Sequence, residues 1–327
     1  MDRFYFAGYL GKRVEELHLH DLACREDVTF VSESLIPMRE REKRLFEKAH
    51  QWKRIEDKEP LFKSYWNHFY TLYNLEYSRE DNHYIIFFDS AISVCYSEEF
   101  FRKLKKKNPN IKLIMYLVDQ MDRWYSGRIR RMLPLFDLVY AINHEDCETY
   151  GFRYYPLLYS NYPLSKVKKL EEQSDIYFIG NNWDRDEYLH KLYDMLTSKG
   201  VKCDFNIVGV DEEKQLYKDK ICYNRPFSME ENLAHSMASK CVLEIMHQTI
   251  HAVTARYPEA VYLNRKLLTN NPAVRFEKYY NPDYIKVFHS LEDIDIDWIK
   301  EDVQVDYHYD NGFSPALFIE EIKRTLG

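Results

Sequence analysis

Arg256 and Glu259 stand three residues apart in the stretch His251-Ala-Val-Thr254-Ala-Arg256-Tyr-Pro-Glu259-Ala260. On a helix starting near Thr254, a residue suited to N-capping, the two share one face close to the start. A guanidinium there adds a fork of donors to a helix N-terminus, which suits a pyrophosphate. A carboxylate one turn on can accept hydrogen bonds from vicinal hydroxyls, as on a ribose. The same spacing also describes an ordinary surface ion pair worth about 0.2–0.5 kcal/mol.

Three further groups carry chemistry. The apolar run from Asp175 ends at Gly180-Asn181-Asn182, with a helix expected after Asp184. A small residue there lets backbone approach a ligand, although a plain strand–turn–helix connection looks the same. In Tyr223-Asn-Arg225-Pro226-Phe227-Ser228-Met-Glu230-Glu231, Ser228 and Glu231 have capping-box spacing. Arg225 and Phe227 before it can face a nucleobase or belong to an ordinary capped loop. Asp89, Asp119 and His144 close apolar runs in the first half. A carboxylate or imidazole at a strand end can take a proton from an attacking hydroxyl, and it can equally cap a loop. Asp119 directly follows Leu113–Val118 and is the sharpest of the three.

These residues need elements to hold them. The 327 residues fit two domains at roughly 100–200 residues each. Apolar strand patterns cover Val28–Ser32, Tyr84–Asp89, Lys112–Asp119, Leu138–Asn143 and Tyr154–Leu158. After a polar interval the series restarts with Asp175–Ile179, Asp204–Val208, Cys241–Met246, Lys266–Thr269 and Ile285–Phe288. Helical spacing lies between them: Phe100, Phe101 and Leu104 mark one helix, and Leu189, Leu192, Tyr193 and Leu196 mark another that Gly200 stops. Alternating strands and helices imply parallel sheets. The expected fold is α/β, with two doubly wound Rossmann-like domains facing each other across a cleft. The expected boundaries are an N-terminal domain over 1–160, a linker over 161–174, a C-terminal domain over 175–312 and a final helix over 313–327.

Composition excludes several classes. The nine glycines never take G-x-G-x-x-G or P-loop spacing, which disfavours those nucleotide folds. The six cysteines form no C-x-x-C pair. The net charge of −7 speaks against general nucleic-acid binding. The N-terminus reads as polar with no signal peptide, and no apolar run reaches the ~18–20 residues of a membrane span, so a cytoplasmic location is expected. Residues 101–135 hold ten Lys or Arg against Asp119 and Asp122, with Trp124, Tyr125, Ile129, Met132 and Leu133 interleaved. That patch suits peripheral contact with anionic lipid on the inner membrane face or a lipid-pyrophosphate acceptor, and equally a solvated helix face.

From about Asp81 onward, the chain resembles bacterial GT-B-type glycosyltransferases of lipopolysaccharide and capsular polysaccharide synthesis. The resemblance rests on Leu113–Asp119, on His144-Glu-Asp-Cys-Glu-Thr-Tyr-Gly151, on Asp175–Gly180 with Asp184-Arg185, and on Pro226–Glu231. Its most specific part is Thr254-x-Arg256-x-x-Glu259-Ala260 followed by Arg265-Lys-Leu-Leu-Thr-Asn270. The resemblance implies transfer of a sugar from a nucleotide-diphosphate donor to a saccharide or lipid-linked acceptor. Arg256 and the Gly180 turn would hold the diphosphate, Glu259 the ribose and Arg225–Ser228 the base. The N-terminal domain would carry the acceptor and the base residue: Asp119, with Asp89 or His144 behind it. Ala252 stands where the family usually has glycine, and His251 where many members carry a first glutamate.

The expected transferase uses no metal and no cofactor beyond the donor, with positive protein groups stabilising the leaving diphosphate. The D-x-D triplet Asp295-Ile-Asp297 is expected at the surface. A catalytically inactive binding subunit and a nucleotide-sugar epimerase are the alternatives.

Overall fold

The computed structural model describes residues 1–7, 19–31, 36–51, 63–89, 96–121, 126–246 and 252–327. The chain divides into one unit of Met1–Pro156 with Pro315–Gly327 and a second of Leu157–Ser314. Each is built on a six-stranded parallel sheet.

In the first unit the strands are β1 (Asp2–Ala7), β2 (Val28–Val31), β3 (Asn82–Phe88), β4 (Ile111–Leu117), β5 (Leu138–Ala141) and β6 (Arg153–Tyr154), ordered β2-β1-β3-β4-β5-β6. Its helices are α1 (Glu40–Gln51), α2 (Lys63–Trp66), α3 (Thr71–Asn74), α4 (Glu98–Lys107), α5 (Ser126–Met132) and α6 (His144–Tyr150). β3 is buried from His83 to Phe88, as a strand covered on both faces must be. The Ser97 hydroxyl caps α4 by accepting from the Phe100 amide at 3.1 Å. That helix then buries Phe100, Phe101 and Leu104, the stripe its spacing predicts.

β1 departs from expectation. Its residues fall in a stretch that reads as polar, yet Phe4, Phe6 and Ala7 are fully buried and the strand lies between β2 and β3. Three consecutive aromatics within six residues, without a longer apolar run, are too short a pattern to stand out.

In the basic segment 101–135, three of the cations are paired. Arg102 pairs with Glu98 at 2.6 Å, Lys103 with Glu99 at 2.9 Å and Lys105 with Asp137 at 2.9 Å. Ile129 and Met132 point into the core. Among the described residues the segment presents charge, while its apolar side chains Ile129 and Met132 are used for packing. Trp124 and Tyr125 lie outside the described residues. No described helix is long and apolar enough to cross a membrane.

In the second unit the strands are β7 (Ser174–Asn181), β8 (Cys203–Val208), β9 (Cys222–Tyr223), β10 (Ser239–Glu244), β11 (Lys266–Thr269) and β12 (Ile285–Val287), ordered β12-β11-β10-β7-β8-β9. Its helices are α7 (Asp186–Ser198), α8 (Met229–Met237), α9 (Arg256–Tyr262) and α10 (Ile296–Lys300). Strand alternation sorts the side chains. Ile176, Phe178, Cys241, Leu243 and Ile245 join Leu189, Leu192 and Leu196 of α7 and Trp298 and Ile299 of α10. Tyr177 points the other way, toward Asn232 on α8. Gly200 closes α7 at φ +73, a left-handed stop that glycine adopts without strain. Within 161–174, Tyr162 and Val167 are buried with Leu233, Ala234 and Leu263.

The last helix, α11 (Pro315–Leu326), belongs to the first unit, where Phe318 meets Tyr116, Tyr140 and Tyr155 at ring-centroid distances of 5.2, 5.0 and 4.6 Å. Truncating this fully buried ring removes all three contacts. Phe318→Ala should destabilise the first unit by roughly 3–5 kcal/mol. Differential scanning calorimetry should show one transition lowered and the other kept.

Candidate functional site

A doubly wound sheet opens a crevice where the strand order reverses, at the carboxyl ends of the two strands flanking that point. In the second unit those strands are β7 and β10. Four of the residues with candidate chemistry lie on the segments that leave them: Gly180 and Asn181 at the end of β7, and Thr254 and Arg256 beyond β10.

β10 ends on Glu244, a carboxylate only 2% exposed. Its Oε1 accepts from the Thr254 amide at 3.2 Å and the Thr254 hydroxyl at 2.5 Å. Its Oε2 accepts from the Thr269 hydroxyl at the end of β11, also at 2.5 Å. Burial pushes the Glu244 carboxyl above its ordinary value, and the threonine donors and nearby Arg256 offset part of that shift. Glu244 thus ties the approach to α9 to two strand ends. Asn270 and Asn271 complete the fastening, accepting from the Met246 amide at 2.6 Å and donating to the Ala252 carbonyl at 3.1 Å.

Thr254 sits one residue before the position expected of it. Ala255 is the N-cap, while the Thr254 hydroxyl accepts from the Arg256 amide at 3.2 Å. The Tyr257 amide bonds the Thr254 carbonyl, and Pro258 has no N–H. The first-turn amides of this seven-residue helix are therefore occupied or missing. The helix start is not the phosphate seat that spacing suggested, and the positive group available is the guanidinium itself.

That guanidinium is firmly held. Arg256 Nη1 donates to Glu259 Oε1 at 2.8 Å and to Asn232 Oδ1 at 2.9 Å. Asn232 Nδ2 in turn donates to Glu259 Oε2 at 2.7 Å, and Ser236 donates to Oε1. The hydroxyls of Tyr159 and Tyr177 reach Glu259 and Asn232 at 3.4 and 3.1 Å. Glu259 has no exposed surface. The expectation that it holds a ribose does not fit this geometry, because its oxygens are sealed and already accept four donors. It clamps Arg256 instead. Burial is the largest single effect and works against the arginine's charge, but Glu259, Tyr177, Tyr159 and Glu244 together outweigh it and hold the guanidinium above its ordinary value. All its side-chain bonds run through Nη1, 13% of the side chain stays exposed, and Nε and Nη2 have no acceptor among the described residues. A planar donor fixed at one nitrogen, with two nitrogens not bonded among the described residues, is suited to a phosphate.

Gly180 lies inside β7, and a Cβ there would come 3.1 Å from the Phe178 ring, so packing accounts for the missing side chain. The turn itself follows Asn181. The Arg185 amide bonds the Asn182 carbonyl at 3.0 Å, and the two central residues, Trp183 and Asp184, have φ of 43° and 59°. Such left-handed pairs favour Gly, Asn or Asp. The Arg185 guanidinium donates to the carbonyls of Asn181 at 2.5 Å, Asn182 at 3.0 Å and Ile245, bridging the ends of β7 and β10.

Arg225 pairs with Glu231 and lies 4.8 Å over the Phe227 ring, which packs 4.9 Å from His235. The Ser228–Glu231 capping box forms as spaced, at 3.1 and 3.0 Å. His251 lies outside the described residues. Asp89, Asp119 and His144 fall at the carboxyl ends of adjacent strands β3, β4 and β5, so the first sheet gathers them at one end. Asp89 is fully buried and accepts from the Asp119 amide at 2.9 Å, a structural task. His144 stacks on Tyr154 at 3.9 Å. Asp119 is half-buried.

A cavity of about 730 Å³ in the second unit lies at the opposite, amino ends of β7 and β8. Lysines 168, 169, 202 and 220 line it together with Glu171, Glu172 and Asp204, a mixed surface without a convergent set of donors.

No family profile and no curated protein matches the chain. Solved structures do match it. TarM aligns at 12% identity over 76% of this chain, with a TM-score of 0.50, and the chain spans 55% of TarM's length. The trehalose-6-phosphate synthase OtsA aligns at 12% identity over 98% of this chain and 91% of its own, with a TM-score of 0.54. A UDP-forming trehalose-phosphate synthase from Burkholderia xenovorans aligns at 10% identity over 98% and 92%, with a TM-score of 0.55. The chain has the two-domain α/β architecture of GT-B structures.

Two outcomes follow from the buried carboxylates. Glu259→Ala strips the partner from a buried arginine, and breaking such a pair costs about 3–5 kcal/mol, readable by urea unfolding. Glu244 behaves in the opposite sense. Its folded-state value is raised, so its stabilising contribution is greatest below the ordinary glutamate range and is lost as pH rises toward the folded value. Glu244→Gln should therefore gain melting temperature over wild type as pH rises from about 4 to 7.

Proposed function

We propose that the chain is a glycosyltransferase that moves a hexosyl group from a nucleotide-diphosphate donor to a saccharide or lipid-linked acceptor in surface polysaccharide synthesis. The observation that carries this reading is Arg256. It lies beyond a strand that flanks the switch point, locked by Glu259 and Asn232, with Nε and Nη2 bonded to none of the described residues. The two-domain fold supports the same class of chemistry, although fold alone does not assign it.

In the proposed reaction the acceptor hydroxyl attacks the anomeric carbon of the donor. The bond to the diphosphate oxygen breaks, and the leaving group carries away the electron pair. Charge develops on that diphosphate, and Arg256 stabilises it where it forms. A clamped guanidinium has little orientation left to lose, so its binding energy is available when charge appears. Asp119 is the proposed base, because Asp89 is committed to the Asp119 amide. The cationic side chain is proposed to serve in place of a metal, and the cytoplasm is the proposed compartment.

The test has three arms. A thermal-shift screen of UDP, GDP, ADP, dTDP and their sugars should find a stabilising ligand, since 100 Kd of ligand adds about 2.7 kcal/mol. Arg256→Ala strands the buried Glu259 carboxylate and should also cost about 3–5 kcal/mol of stability, so turnover is measured below its melting temperature, where it should fall by about 100-fold or more per folded molecule, as loss of one such donor costs ~2.7–4 kcal/mol. Activity in EDTA should equal activity without it, and loss restored by Mn²⁺ would overturn the metal-free reading. A screen in which no nucleotide or nucleotide sugar binds would overturn the whole assignment. Conversion of a donor sugar without acceptor would identify an epimerase instead.

A further inference from the structure

We infer that Asn232 is a positioning residue of the transfer reaction: it sets the plane of the Arg256 guanidinium and so aims the nitrogens that meet the leaving diphosphate. The inference rests on the transferase reading and adds to it a residue on α8, an element other than the one that carries Arg256.

Glu259 supplies only part of the orientation. It stands three residues from Arg256 on α9, so their bond ties the arginine to its own helix. Asn232 belongs to α8, and its Oδ1 accepts from Arg256 Nη1 at 2.9 Å, beside the 2.8 Å bond to Glu259 Oε1. The hydrogens of Nη1 lie in the guanidinium plane. One acceptor on that nitrogen holds a point, and a second from another element holds the plane. The plane in turn decides where Nε and Nη2 are directed.

Asn232 is itself fixed on every side. It is 7% exposed, and its amide bonds the Ser228 carbonyl at 3.0 Å, one turn into the helix that the Ser228–Glu231 box begins. Its Oδ1 also accepts from the Tyr177 hydroxyl at 3.1 Å, and its Nδ2 donates to Glu259 Oε2 at 2.7 Å. Tyr177 lies on β7 with no exposed surface, and its ring stacks on His235 at 5.5 Å. The guanidinium is thereby held to β7, a strand flanking the switch point, as well as to α9.

The residue type answers to the task. The side chain must accept from a guanidinium and donate to a carboxylate at once. Turned over, its NH2 would meet the guanidinium and its oxygen the carboxylate, so the partners settle which way the amide faces. Aspartate would set a second carboxylate against Glu259 and cancel charge that the diphosphate is to meet. Leucine has a similar shape and offers neither bond. Asparagine orients the arginine without neutralising it.

The test measures release of nucleoside diphosphate, per folded molecule and below each variant's melting temperature, from whichever nucleotide sugar of the UDP, GDP, ADP and dTDP series stabilises wild type most. Asn232→Ala should lower kcat about 10- to 100-fold and change KM by less than about threefold, because misaiming by about 1 Å costs rate rather than ground-state binding. Tyr177→Phe keeps the ring and removes only the hydroxyl that steadies Asn232. It should lower kcat about threefold with KM kept, and it carries the test if Asn232→Ala does not fold. Arg256→Lys supplies a point charge with no plane to set. Adding Asn232→Ala to Arg256→Lys should therefore lower kcat by less than about twofold more. Wild-type kcat in the folded single variants, or losses that multiply in the double variant, would overturn the inference and leave the transferase reading standing. A wild-type chain that releases diphosphate from none of these sugars would remove both.

Discussion

The second unit depends on one buried ion pair. Glu259 and Arg256 sit three residues apart on a two-turn helix, and alone they would be a weak surface contact. Here both are drawn inward, and the difference lies in the neighbours. Asn232 and Ser236 are four residues apart on α8, so one face of that helix delivers an amide and a hydroxyl to the same carboxylate. Tyr159 and Tyr177 supply hydroxyls from the chain entering the unit and from β7. A charge this deeply enclosed would be intolerable without such partners. Because the partners come from separate elements, the cluster also fixes how α8 and α9 sit on the sheet.

A second carboxylate, Glu244, works beside it by a different rule. Among the described residues it has no ionic partner at hydrogen-bond distance and is held by two threonines, so dipoles support its charge there. The raised proton affinity is the expected cost of that arrangement. In return, Thr254 is fixed at both its amide and its hydroxyl, and Thr254 sets where α9 begins. The two carboxylates thus divide the work: Glu244 places the helix start, and Glu259 orients the arginine that the helix carries.

The alternation of strands and helices was legible because parallel strands covered on both faces must be apolar runs, and Leu113–Val118 or Asp175–Ile179 cannot easily be anything else. The Ser228–Glu231 box was legible because both partners lie within one turn. The clamp was not. Asn232 and Ser236 lie 27 and 23 residues before Glu259, and nothing local marks them as its partners. Arg256 and Glu259 themselves were visible, but spacing could not say which of them faced a ligand. Glu244 did leave a signal, a lone charge inside Cys-Val-Leu-Glu-Ile-Met, since a carboxylate in a buried strand needs donors brought from elsewhere. Likewise Trp183 in a turn between Asn182 and Asp184 has an odd composition for a left-handed bend.

The clamp also poses a physical question, since Glu259 neutralises the charge that is to attract an anion. The resolution is geometric. Glu259 binds Nη1, and Nε and Nη2 have no acceptor among the described residues. An unclamped arginine would carry a stronger local field but would give up about 2 kcal/mol of side-chain freedom when a phosphate fixed it. Arg256 has lost that freedom on folding. It gives up field for orientation, and orientation is what counts when the bound anion gains charge during a reaction, because a fixed dipole responds without rearranging. Arg185, anchored by carbonyls rather than by a carboxylate, keeps its full charge near the same strand ends. One arginine set by an ion pair and another set by backbone dipoles can thus combine direction with net positive potential, which neither provides alone.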